Sequence, residues 1–489
     1  MKPSVELHQL IHSLSMSEKR YFKIHSSRHT IGDTNNYTRL FDAIETQHEY
    51  DEAQVKKQFD GETFIKHLPS EKHYLYNHIL ESLNAFNKEK TFLARYAATL
   101  TSIEILYNRG LFTHCKKLIK RAKTEAYSLE KFSILLILIH WETILFINAE
   151  DDKNLYKNIQ EELRLLDALK IQTSLMQMAF DIQIQIDKGS ATEKYIQTRK
   201  KELNSTFPPK SEINSFWSKY YYYSALALIY TLESDNTERY RCYKEIKHIM
   251  DQAPQFIKDL PAIYHLNYNN LVNIMLFLKK YSETESLLKE QRTFLPTYGI
   301  KNPTFLTRVF INTYESELYL YYKTGQHEKA AAVAKEMEPT LKKIDLSFGP
   351  VLFDLFYFMA ITELMVKNHK GATKWLNKIL NAEREINFRK ELQINARLLY
   401  LVVLNETDDV LFENRVQAAR RFMAQESSFK KQAKILEGIA LAGEDLSLQK
   451  NKNELRNIIA QLKKEHQVAG EELLNKNFDF VEWLESRAH

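Results

Sequence analysis

Apolar residues recur at three- and four-residue intervals along nearly the whole chain, and this helical rhythm breaks at short polar joints that themselves repeat. NRGLFTHCKKLIKRA at 108–122, FLKKYSETESLLKE at 277–290, KTGQHEKAAAVAKEM at 323–337 and VKNHKGATKWLNKIL at 366–380 share one arrangement. An apolar helix ends at a Gly or Lys, an aromatic residue or His follows two positions on, a small residue three further, and an amphipathic helix leads away. ESDNTERYRCYKEI at 233–246 is a looser copy. Self-similarity at a period of 20–50 residues marks a chain built from stacked units.

Extending the pattern predicts paired helices at 92–109 with 111–127, 129–149 with 152–169, 171–188 with 190–204, 211–234 with 236–252 and 258–279 with 281–294. Further pairs follow at 302–324 with 326–344, 348–368 with 370–384, 387–405 with 408–424 and 428–444 with 448–465. The joints repeat with a mean spacing of about 42 residues. The hairpin has a mechanical reading. Gly110 or Gly325 ends the first helix with positive φ; Phe112, Tyr281, His327 or His369 packs back on it. Cys115, Thr284, Ala330 or Ala372 lets two helix backbones approach closely. A last helix, FDFVEWLESRAH at 478–489, is placed to cap the apolar end that a stack exposes.

Residues 1–90 follow a different rhythm. Leu7, Leu10, Ile11 and Leu14 form one helical stripe, and Ser15 and Ser17 are N-cap candidates for SEKRYFKIHSS. A Gly-Asp-Thr-Asn-Asn loop at 32–36 precedes a helix with Tyr37, Leu40, Phe41 and Ile44. Asp51 caps a short helix ending near Phe59, and Pro69–Ser70 opens a longer one through Phe86. The domain reading is therefore a helical region at 1–90 and a repeat array at 91–489.

The hairpin features are those of tetratricopeptide repeats, and YLYYKTGQHEKAAAVAKEM at 319–337 resembles one closely. The period exceeds that family's 34-residue consensus, so the likeness is to divergent relatives with long helices, over about four-fifths of the chain. It implies an all-α fold: a right-handed α-solenoid of about nine hairpins whose first helices line a concave groove. SLSMSEKRYFK at 13–23, YTRLFDAI at 37–44, YDEAQVKKQF at 50–59 and EKHYLYNHILESL at 71–83 resemble the N-terminal signature of an uncharacterised bacterial family of helical-repeat proteins. That second resemblance brings no activity with it.

Composition agrees with helices joined by short links: 44% hydrophobic residues with only 11 Gly and 10 Pro in 489. The 68 basic and 63 acidic residues leave a net charge of +5, too small a bias to mark the whole chain as a nucleic-acid or membrane binder. Cys115 and Cys242 stand alone, which fits buried packing in a reducing compartment. The start, MKPSVELHQLIHSL, lacks the apolar core of a signal peptide. FSILLILIHW at 132–141 is too short to span a bilayer, and the apolar run at 351–366 carries Asp354 and Glu363. The expectation is a soluble, cytoplasmic protein with no membrane insertion.

The search for chemistry returns little. No glycine spacing matches a phosphate or dinucleotide loop, and Gly438 and Gly443 fall in a helical stretch. No nucleophile elbow is present. His8 with His12, and His25 with His29, have a helical spacing that permits zinc chelation, but no acidic ligand cluster joins them and surface or packing roles are favoured. Glu161–Glu162 and Asp408–Asp409 read as helix-start carboxylates. The expectation is no catalytic residue, no metal and no cofactor.

Two features remain for binding. Trp217, Tyr220, Tyr221, Tyr222, Tyr223 and Tyr230 crowd one helix, where core packing competes with a groove contact by Trp217, Tyr220, Tyr221 and Tyr223. Lys116, Lys117, Lys120, Arg121 and Lys123 form a basic helix face, with a weaker cluster at Arg415, Arg420, Arg421, Lys430, Lys431 and Lys434. A solvated surface competes there with an acidic partner or nucleic acid. The leading functional expectation is a non-catalytic scaffold or adaptor that binds a peptide or partner protein in the groove. The alternative is a sensor or regulator whose solenoid binds a peptide, small ligand or nucleic acid and controls residues 1–90. The 12 basic and 13 acidic residues of that region argue against DNA contact.

Overall fold

The structure, a computed structural model, describes residues 3–27, 36–90, 92–207, 214–257, 260–300, 302–344, 349–382, 389–424, 429–468 and 477–488. Among the described residues the protein is all-α, with twenty-three α-helices, short 3-10 turns and no strand. Two compact units divide it, Met1–Leu166 and Asp167–His489.

In the first unit, α1 (Pro3–Ser13), α2 (Met16–Ser27), α3 (Asn36–Glu45), α4 (Glu52–Gln58) and α5 (Leu68–Asn87) enclose a small core of their own. The predicted stripe of α1 is buried at Leu7, Ile11 and Leu14, facing Phe22, Phe41, Leu75 and Ile79. Its caps are local and reciprocal. The Ser15 hydroxyl accepts from the Glu18 N–H while the Glu18 carboxylate accepts from the Ser15 N–H, a capping box, and Asp51 accepts from the N–H groups of Ala53 and Gln54. The 32–36 loop lies outside the described residues, apart from Asn36, which opens α3. Then α6 (Phe92–Asn108), α7 (Phe112–Ser128) and α8 (Phe132–Asn148) pack in sequence order.

The helix α9 (Asp152–Lys188) corrects the sequence reading. A joint is expected between 169 and 171, but the chain runs as one 37-residue helix. DALKIQTSLM at 167–176 holds no Gly or Pro to stop it, and the apolar pattern alone does not mark an end. Glu161 and Glu162 consequently lie well inside α9, not at a helix start. Glu161 there accepts from Lys123 Nζ at 2.9 Å and binds the Tyr127 hydroxyl.

The second unit continues with α10 (Glu193–Thr206), α11 (Phe216–Leu232), α12 (Asn236–Asp251), α13 (Pro261–Phe277), α14 (Tyr281–Thr297), α15 (Pro303–Lys323) and α16 (His327–Leu341). After these come α17 (Pro350–Met365), α18 (His369–Leu380), α19 (Lys390–Glu406), α20 (Phe412–Met423), α21 (Lys430–Ala442), α22 (Gln449–Val468) and α23 (Phe480–Ala488). From α10 onward each helix packs on the next. In addition α13, α15, α17, α19, α21 and α23 each pack on the following member of that row. One hydrophobic core runs through them from Phe216 to Ala488. In α17, Leu352, Phe353 and Leu355–Ile361 are all buried, which explains an apolar run without amphipathic phase. Among the described residues no helix is long and apolar enough to cross a membrane.

The joints are built alike. Gly110, Gly189 and Gly325 take φ values of +72°, +60° and +66°, and Glu130, Glu150, Ser234, Lys279, Lys367 and Asp408 fill the same left-handed position at +46° to +61°. The following N–H bonds the carbonyl five residues back, as from Leu111 to Leu106 at 2.9 Å, Gln326 to Tyr321 at 2.9 Å and Asn368 to Glu363 at 2.8 Å. This bond pattern closes a helix C-terminus and turns the chain sharply. The small residues after the joint, Cys115, Thr284, Ala330 and Ala372, are all buried at helix contacts. Phe112 packs back on Tyr107 of α6 with ring centroids 5.5 Å apart.

Candidate functional site

In the second unit the inner faces of α13, α15, α17 and α19 border a cleft of about 490 Å³. Its walls carry amides and charges where a core would carry aliphatic groups. Asn269, Asn270 and Asn273 come from α13, Asn312, Glu315 and Ser316 from α15, and Asp354, Tyr357 and Phe358 from α17. Arg389, Glu391, Leu392 and Asn395 border it at α19, with Arg239 from α12 and Asn477. The lining follows the sequence period. Asn270, Asn312 and Asp354 succeed one another at intervals of 42 residues, as do Asn273, Glu315 and Tyr357 one turn further along, and Asn395 lies 41 after Asp354. Equivalent positions on successive helices thus point into one space.

A buried imidazole organises the wall. His265 Nε2 lies 3.1 Å from the amide nitrogens of both Asn269 and Asn312, and Gln291 reaches its Nδ1 at 3.0 Å. Burial, with the charge of Arg308 as a lesser cause, pushes His265 down to about 4, so the ring is neutral at pH 7. A neutral ring has one donor and one acceptor nitrogen. Nε2 therefore accepts from the two asparagines, while Gln291 turns its amide nitrogen toward Nδ1 and its buried Oε1 has no hydrogen-bond partner among the described residues. With their nitrogens held on the ring, both asparagines keep a carboxamide oxygen for other partners; that of Asn269 lies 3.4 Å from Gln291 Nε2.

The charges are partly closed on each other. Arg389 clamps Asp354 with two bonds of 2.9 and 3.1 Å. Arg239 donates to Asn236 Oδ1 at 3.3 Å, and its buried Nε has no hydrogen-bond partner among the described residues. Asn270 and Asn273 are half-buried, with no side-chain hydrogen bond among the described residues. A carboxamide presents a donor and an acceptor side by side, the complement of one peptide group.

The chain already holds a non-helical piece of itself at this cleft. Between α22 and α23, Asn477–Asp479 carries no helix. Its Asp479 N–H donates to the Tyr322 hydroxyl of α15 at 2.7 Å, and Asn395 of α19 donates to Asn477 Oδ1 at 3.0 Å. The Phe478 main chain lies beside the Tyr357 hydroxyl of α17, and the Phe478 ring stacks on Tyr322 with centroids 6.2 Å apart. Lys323 stands 3.8 Å from the Asp479 carboxylate.

The residues singled out by sequence lie elsewhere. Trp217, Tyr220 and Tyr223 are buried in the core of the second unit, and Tyr221 is half-buried against the same core. Asn267 donates to the Tyr220 hydroxyl at 3.4 Å, and Tyr223 reaches Glu245 at 3.5 Å. Lys116, Lys117, Lys120 and Arg121 are exposed on α7 in the first unit, while Lys123 is held by Glu142 and Glu161. The structure brings neither group into the cleft. His8 bonds the Gln47 carbonyl at 2.9 Å and lies against His12 with the rings tilted by 36°; His29 lies outside the described residues. His369, expected to pack on its own hairpin, contacts Glu406 of α19 at 3.1 Å. No group of three His, Cys, Asp or Glu among the described residues has the geometry to hold a metal ion.

Asn269, Asn270 and Asn273 share α13, but Asn312 and Asn395 lie on α15 and α19, so no local motif marks the set. Their signal is the 42-residue recurrence of a polar residue at one phase of an otherwise apolar helix. No protein-family model matches the chain, and a search of curated proteins finds no significant relative.

Proposed function

We propose that the repeats form a right-handed α-solenoid of about nine hairpins, with residues 1–90 as a separate helical region, and that the protein is a non-catalytic scaffold. The cleft of α13, α15, α17 and α19 holds a partner through an extended peptide segment. Stacked hairpins place equivalent side chains on one inner face, and the 42-residue recurrence of the lining is what such stacking produces. The observation that carries the reading is the chain's own non-helical segment Asn477–Asp479, which meets the cleft edge at Asn395 and donates its Asp479 N–H to Tyr322 at 2.7 Å. Asn270, Asn273 and Asn312 extend the same chemistry away from that edge. Main-chain recognition of this kind needs no nucleophile, metal or cofactor.

The test is selection of a random peptide library on the full chain, followed by titration of the selected peptides. Binding that falls about tenfold or more in Asn270→Leu/Asn273→Leu supports the reading, each lost hydrogen bond being worth about 1 kcal/mol. Selected peptides that bind this variant as well as they bind the wild type contradict it. Generic nucleic acid bound with a steep salt dependence, in place of any peptide, also contradicts it.

A further inference from the structure

We propose that residues 477–488 are a tethered occupant of the cleft edge, which an outside peptide displaces; this regulation rests on the reading of the cleft as a peptide site. The segment has the form of a ligand. Three non-helical residues are followed by a short helix with one apolar face, Phe480, Trp483 and Leu484, buried against α21 and α22. Its polar contacts come from distant parts of the unit. Tyr322 is 157 residues away in sequence and Asn395 is 82 away. Trp483 Nε1 donates to Glu406 Oε1 at 3.0 Å, 77 residues away, and Arg487 stands 3.9 Å from the same oxygen.

Those contacts use the surface that an incoming segment needs. Asn395 and Tyr357 line the cleft and touch the tethered chain at the same time. A partner running from Asn270 past Asn312 toward α19 meets Asn477 in its path. While the tether is seated, Asn477 takes up part of the cleft wall beside Asn395; with the tether released, Tyr322, Tyr357 and Asn395 become free to bind main chain. A covalently attached occupant competes at an effective concentration in the millimolar range, so it blocks weak partners and yields to strong ones.

The experiment places a specific protease site between Val468 and Asn477 of the full chain and cleaves the folded protein. The probe is a fluorescein-labelled synthetic peptide of residues 477–488. The expected result is that the cut fragment leaves during gel filtration, the remainder keeps its helical circular dichroism, and it binds the labelled peptide at least about tenfold more tightly than uncut protein does. Binding no tighter than to the uncut protein overturns the proposal, and so does collapse of the remainder once the fragment has gone, which is the behaviour of a structural cap. Trp483→Ala in the uncut chain is a second route: it is expected to raise affinity for the peptide with little loss of overall helicity, and unchanged affinity counts against the proposal. Library-selected peptides separate the two readings. Those that require Asn270 and Asn273 and compete with the labelled peptide support both. Peptides that require the asparagines without competing overturn the tether alone.

Discussion

Asn312 on α15 donates to Nε2 of His265 on α13 across 3.1 Å, joining residues 47 positions apart behind the wall of the cleft. A second amide, from Asn269, shares the same nitrogen. The imidazole thereby fixes two wall residues from two helices and sets which face of each carboxamide is free.

That arrangement makes stability depend on acid. His265 is held down to about 4 against an ordinary value of 6.5. Its contribution is complete above pH 6.5 and is lost as pH falls toward 4, because the unfolded chain takes up a proton that the folded chain refuses. The full difference is about 3 kcal/mol at most. Urea unfolding at pH 7.5 and 4.5 is expected to show a loss in the wild type about 2 kcal/mol greater than in His265→Gln.

The carboxylate of Glu406 ties α18, α19 and α23 together. Burial raises it, but hydrogen bonds from His369, Trp483 and Lys367 outweigh burial and hold it below the usual range. A depressed carboxylate stabilises at neutral pH and loses that contribution as pH falls through the folded value. Glu406→Gln is expected to speed hydrogen exchange of residues 480–488 at pH 7 by about tenfold, the effect of losing roughly 1–2 kcal/mol of charge-assisted bonding. Unchanged exchange there would show that apolar contacts alone dock α23.

Two glycines of the C-terminal hairpin differ in what stands over them. A Cβ at Gly443 collides with the Phe412 ring, whereas one at Gly438 meets Leu484 Cδ1 at 2.8 Å, the end of a flexible side chain. Gly443→Ala is expected to destabilise by about 1–3 kcal/mol, seen as a lower melting temperature. Gly438→Ala instead displaces Leu484 and loosens α23 locally, which hydrogen exchange detects.

Lys279 closes α13 with φ of +56°, a conformation that strains any residue with a Cβ. Lys279→Gly is expected to stabilise by about 0.5–1 kcal/mol in urea melts. The same change at an ordinary helical position destabilises by a similar amount.

The hairpins were legible because their signals are local: apolar periodicity, a glycine at the turn, and a small residue such as Ala330 or Ala372 at the crossing. The break expected near residue 170 was not, since α9 continues wherever no residue stops it. The joints at Lys279 and Lys367 were legible from their neighbours, but their left-handed backbone was not, since no glycine signals it. Trp217 and Tyr220 drew attention by composition, yet large amphipathic rings fill a core as readily as they line a groove. The cleft was the hardest part to read. Asn270, Asn312 and Asp354 become neighbours only when helices 42 residues apart stack, and His265 gains its meaning only with Asn269, Asn312 and Gln291 around it.

The most direct measurement is calorimetric titration of a library-selected peptide against the wild type and Asn270→Leu/Asn273→Leu side by side. The cleft account predicts one binding site per chain in the wild type and an affinity at least about tenfold lower in the variant, with the melting temperature unchanged. Equal affinity for the two proteins would contradict it.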